Sequence, residues 1–156
     1  MIKKFECDIY PFNLWVCDED EIKSLNQRFG FYNNVDDINN PDVYSSELEI
    51  GDGLYGCCAI TQIVINKRVN KKGANEKGIL VVLCKDTINL QIDPYEYYNT
   101  IAHESKHVAD IVSEMKGLTE APTYNKNEHQ AYLIGWIASK IGSVWDKINK
   151  EQDETN

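Results

Sequence analysis

The stretch from Asp93 to Gly117 constrains the fold most, because the chain marks both ends of one long helix there. Asp93 is a capping residue, Pro94 suits the first helical position, and Glu96 closes a capping box. Gly117 is the stop signal. Between them Ile101, Val108, Val112 and Met115 recur at helical spacing and form a core stripe. The same helix carries His103-Glu104-Ser105-Lys106-His107, the pattern H-E-x-x-H. Side chains four apart lie about 40° apart around a helix and one turn along it, so His103 and His107 project side by side and can share one metal ion. Glu104 stands about 100° round from His103, able to reach a metal-bound water without being a ligand. The chain has 3 histidines, and two of them fall in this motif, off the core stripe. A polar pair away from the stripe is what the wall of a cleft needs.

The 156 residues are enough for one domain, expected to span 1–148, with a polar, flexible tail at 149–156. The formal charge of −9 argues against nucleic acid as a partner, since phosphate binding needs a basic surface. No apolar run approaches the length of a membrane span. No signal-peptide core follows the N-terminal lysines, which points to the cytoplasm. The five cysteines, Cys7, Cys17, Cys57, Cys58 and Cys84, form no C-x-x-C pair and read as small buried apolar side chains in a reducing compartment.

Ahead of the motif helix the chain reads as mostly strand. Residues 3–17 give one or two short strands kinked at Pro11. Asp18 and Glu21 form a capping-box pattern, and Ile22, Leu25 and Phe29 predict a short helix over 19–29 that stops at Gly30. Residues 33–53 read as irregular, a possible rim of a cleft. Residues 54–65 read as a strand and 66–78 as a basic, solvated connection. Residues 79–84 are a continuous apolar run, a strand buried on both faces, and 88–92 alternate as a half-exposed strand. After a connection at 118–126, a last helix begins near Asn125 or Asn127 and runs to about Ile148. Its stripe is Ile134, Ile137, Ile141, Trp145 and Ile148. The fold class is therefore α+β: a small antiparallel or mixed sheet packed against the H-E-x-x-H helix and a long C-terminal helix.

A catalytic zinc usually takes three protein ligands and leaves one position for water. Glu128 is the first choice for the third ligand. It heads a ridge of small residues, Ala131, Gly135, Ala138 and Gly142, that would let the motif helix approach closely. Glu128 can also be read as closing a capping box begun by Asn125. His129 and, in the connection, Glu120 are further ligand candidates. Asp110, three after His107, reads either as an acceptor that orients a histidine ring or as a solvated acid.

With these residues in place, the chain resembles the zincin metallopeptidases. More narrowly, Glu128-His129-Gln130-Ala131-Tyr132 is similar to the E-x-x-A element of small bacterial and phage metallopeptidases of the ImmA/IrrE type. The resemblance covers roughly residues 79–140. It departs at Tyr132, where that family usually has Asn, and it does not reach residues 1–53. It implies a zincin-like fold core with Zn2+ held by His103, His107 and Glu128, and Glu104 as general base. It also implies peptide or protein substrates, an extended substrate lying along Ile88–Ile92 or Ile79–Cys84, and a tyrosine, Tyr124 or Tyr132, assisting the oxyanion. Two other classes stand beside this one. The first is a catalytically silent zinc-binding scaffold serving a phage or mobile element. The second is a metal-free α+β interaction domain.

Overall fold

Leu14-Trp15-Val16-Cys17 and Ile79-Leu80-Val81-Val82-Leu83 are apolar at every position, so each strand must be covered on both faces. The computed structural model, which describes residues 1–40, 42–45, 47–48, 59–84, 94–118 and 127–153, places them side by side at the centre of a sheet. The strands are β1 (Ile2–Glu6), β2 (Asn13–Asp18), β3 (Phe29–Tyr32), β4 (Ala59–Val69) and β5 (Asn75–Leu83). Their order is β1-β2-β5-β4-β3. β2 and β5 run parallel, with Trp15 opposite Leu80 and Cys17 opposite Val82, and the other pairings are antiparallel. The chain is thus α+β with a five-stranded mixed sheet. It divides into two compact units, Met1–Thr87 and Ile88–Asn156, and the expected domain 1–148 spans both.

In the first unit, one face of the sheet presents Trp15, Cys17, Phe29, Phe31, Val64, Leu80 and Val82, and Leu25 and Leu48 pack with it. Trp15 meets Phe29 edge-on at 5.1 Å. Leu14, Val16, Ile63, Ile65, Ile79 and Val81, which alternate with that face, are buried as well. Lys4 on β1 reaches across β2 to Glu76 on β5 at 2.8 Å, and this hydrogen bond holds the Glu76 carboxyl below its usual range.

Several local expectations change. The helix expected over 19–29 is a 3-10 turn (Glu19–Glu21) followed by α1 (Ile22–Arg28), and Glu21 caps it without a side-chain bond. Phe29 leaves the helix to begin β3, and Gly30 is a strand residue, not a stop. The reason is tertiary: Phe29 and Phe31 both enter the core below Trp15, which outweighs the local helical pattern. Gly30 is kept small by Tyr44, whose ring occupies the space of a Cβ. The basic connection expected over 66–78 is mostly strand. β4 extends to Val69 and β5 begins at Asn75, leaving a tight turn. Asn70 closes that turn with its side-chain oxygen, accepting from the amides of Lys72 and Ala74, and Gly73 takes the left-handed conformation (φ 76°). Ladder bonds and these caps compensate for the exposed lysines. β5 is paired on both edges, so Ile79–Cys84 has no free edge for an added strand. The strand expected at 88–92 and the part of the 54–65 strand before Ala59 lie outside the described residues.

The second unit holds two long helices, α2 (Pro94–Met115) and α3 (Glu128–Asp153). α2 ends as its sequence marks it, with Gly117 left-handed at φ 63°. α3 continues to Asp153, past Ile148, so residues 149–153 of the expected tail are helical. Ile101, Val108, Ala109 and Val112 form the buried side of α2. Leu133, Ile137, Ile141, Val144, Trp145 and Ile148 form that of α3, while Ile134 is only half-buried. The helices run antiparallel. Tyr97 stacks edge-on against Trp145 at 5.4 Å and donates its hydroxyl to the Asp146 carboxylate at 2.7 Å. One turn on, the space beside Gly142 is filled by Ile101 at 3.6 Å from a Cβ position. Among the described residues no helix is long and apolar enough to cross a membrane.

Two predictions follow from this packing. The carbonyl of Asn13 and the Trp15 ring occupy the place a side chain at Gly78 would need, so Gly78→Ala should cost about 1–3 kcal/mol in urea unfolding. Gly30→Ala should cost less, because what it meets is the side chain of Tyr44, 36% exposed, and not a backbone carbonyl. The second concerns alkali. Burial, then the Asp146 hydrogen bond and charge, raise the Tyr97 phenol above its ordinary value of 10.0. A raised acid keeps its neutral form in the folded chain. Its contribution is therefore whole below pH ~10 and is lost as pH climbs from there toward the folded value. Tyr97→Phe should flatten the fall of stability above pH ~10, measured as thermal midpoint against pH.

Candidate metal centre

The buried stripe of α2 fixes how the helix is rotated, and that rotation decides where the motif points. His103 and His107 are exposed, while Glu104 and Ser105, between them in sequence, are buried, at 5% and 0% exposure. The two imidazoles converge. Their Nε2 atoms are 2.9 Å apart, one donating to the other, and the rings meet edge-on with centroids at 4.5 Å. Two nitrogens bonded to one tetrahedral zinc at ~2.0–2.1 Å stand about 3.3 Å apart. A few tenths of an ångström of ring motion therefore turns this hydrogen-bonded pair into a pair of metal ligands. The donor set fits the ion as far as it goes.

Ser105 sits on the side of α2 opposite the rings and donates its hydroxyl to the Ile101 carbonyl at 2.6 Å. Asp110 does not orient either histidine ring in any contact seen here. Its carboxylate accepts from Lys106 at 2.5 Å, an exposed pair four residues apart. That pair was legible in the sequence from its spacing alone.

Glu128 is not brought to the histidines. It is exposed in the first turn of α3. Among the described residues, no three His, Cys, Asp or Glu side chains cluster in a way that could hold an ion. The register of the helix pair explains this. Continued along α3 from its contacts at Tyr97 and Ile101, it sets Glu128 against the last turn of α2, roughly two turns or about 11 Å beyond His107. The ridge of small residues does not bring it closer. Gly142 touches α2, but Ala131 and Gly135 are exposed, and nothing lies within 4 Å of a Cβ at Gly135. His129, about 100° round from Glu128 on the same turn, is half-buried. Tyr132 is 70% exposed on α3. Tyr124 and Glu120 lie outside the described residues.

Cys7, Cys17 and Cys84 are buried. Burial pushes the Cys17 thiol far above its ordinary value, so it is neither a ready nucleophile nor a ready ligand.

No protein-family model matches the chain, and no curated protein or solved structure matches it either.

Proposed function

We propose that this protein is a zinc-dependent metallopeptidase of the H-E-x-x-H type. One observation carries the reading: two imidazoles on the open side of α2 with Nε2 atoms 2.9 Å apart, and a glutamate next to the first of them. His103 and His107 would hold the ion through Nε2. Bound zinc in such sites lowers the pKa of its water to about 7 and polarises a carbonyl oxygen. The chain's own part is proton handling and positioning. Glu104 would accept the proton of the attacking water on its carboxylate and pass it to the leaving amine. Its burial favours that role, because a carboxylate screened from bulk water exchanges its proton with the reacting group and not with solvent. Glu128, the third ligand that the resemblance implies, would have to be carried toward His107 by movement of the first turn of α3.

The distance of Glu128 favours a second reading: a zinc-binding scaffold without hydrolytic activity, serving as an accessory or interaction protein. The two differ at Glu104. In the peptidase, Glu104→Gln abolishes peptide hydrolysis, by about 100-fold or more, and zinc stays bound. In the scaffold, the same change leaves the protein's activity untouched. Both require the histidines.

The expected results are therefore these. Protein purified without chelator contains zinc by elemental analysis. His103→Ala removes it while leaving the helical circular dichroism intact, since the ring is exposed. Metal-free wild type, or metal retained by His103→Ala, would defeat both zinc readings and leave the metal-free interaction domain.

A further inference from the structure

We infer that a zinc ion on this face is shared between two copies of the chain, the His103–His107 pair of each copy supplying half of a four-imidazole site. The inference rests on the zinc-binding reading above and extends it to a latent, self-associated form.

Three observations lead to it. The first is the half-complete ligand set. Two Nε2 atoms stand at nearly the spacing of adjacent corners of a zinc tetrahedron. Among the described residues nothing in the same chain stands ready to fill the other corners. A second pair with the same geometry fills them without distortion, because two edges of a tetrahedron that share no corner are related by a twofold axis through its centre. The twofold is also the commonest symmetry of self-association.

The second observation is access. The pair lies on the exposed side of α2, and its neighbours on that side, Asn99 and Ala102, are small and exposed. Two helices can therefore cross at the histidines. Tyr95, two turns before His103 on the adjoining flank of α2 and 77% exposed, gives a second copy apolar area to cover.

The third is charge. Each chain carries −9, so two metal-free copies repel. The ion pair flanking the rings changes that locally. Lys106 and Asp110 are about half exposed, at 51% and 47%, beside His107. A twofold through the ion brings Lys106 of one copy toward Asp110 of the other. Association then depends on the metal, and salt screens both the net repulsion and the cross-copy ion pairs.

With four imidazoles on the ion, no position remains for water. The associated form is therefore inactive, and separation of the copies restores a site open to substrate.

Sedimentation velocity on the full chain, first in chelator and then with zinc added stepwise, tests this. The expected result is a 17.9 kDa species in chelator that doubles in mass, complete at one zinc per two chains. His107→Ala should stay at the single-chain mass at the same zinc concentration. Exchange of zinc for cobalt should give a four-nitrogen absorption spectrum. Zinc bound one per chain at unchanged mass would overturn shared coordination and leave the peptidase reading standing. Doubling that persists in chelator, or in His107→Ala, would overturn it too. Absence of zinc binding at any ratio would bring down the earlier reading along with this one.

Discussion

The rotation of α2 about its own axis governs what this chain can do. Ile101, Val108, Ala109 and Val112 must leave water, and once they do, every other residue of the helix has its direction assigned. His103 and His107 are turned outward and Glu104 inward. A shift of one residue in the stripe would turn the rings through about 100° and bury them. The stability of the helix and the accessibility of the two imidazoles are thus one constraint. This is why a motif of five residues needs a helix of 22 to present it.

Much of this could be read from residues alone, and the reasons are local. The limits of α2 are written in Pro94 and Gly117, and the pairing of the histidines follows from helical spacing. Ile79–Leu83 of β5 is apolar at every position because both faces are covered there. What escaped was set at long range. Phe29 continues a helical pattern in sequence, yet it starts β3 because Trp15, far away in the chain, waits for an aromatic ring. The lysines of 66–78 resemble a loop, but the ladder between β4 and β5 decides their backbone. The place of Glu128 was the hardest. Its helix, its type and its neighbours were all legible, but its distance from His107 depends on how far α3 slides along α2. That is fixed by Tyr97, Trp145 and Asp146 at the other end of the pair.

The first unit is built on a different economy. Its two central strands are distant in sequence and parallel, which requires a glycine where they meet most closely. Gly78 stands opposite Asn13 and leaves room for the Trp15 ring. From this seam the sheet grows outward through antiparallel pairs to two edges. β1 is guarded by the charges of Lys3, Lys4 and Glu6, and β3 by a bridge from Phe31 to Ser45.

The hydroxyl of Ser105 has a consequence that reaches across the helix. It adds a second donor to the Ile101 carbonyl on the buried side of α2, halfway between the two rings in sequence. Such back-bonding bends helices at the turn where it occurs. A bend on one side of a cylinder changes the spacing of groups on the other, and here those groups are the two ring nitrogens, 2.9 Å apart. Ser105 and the two rings thus share one stretch of α2, the hydroxyl facing the core and the rings facing solvent.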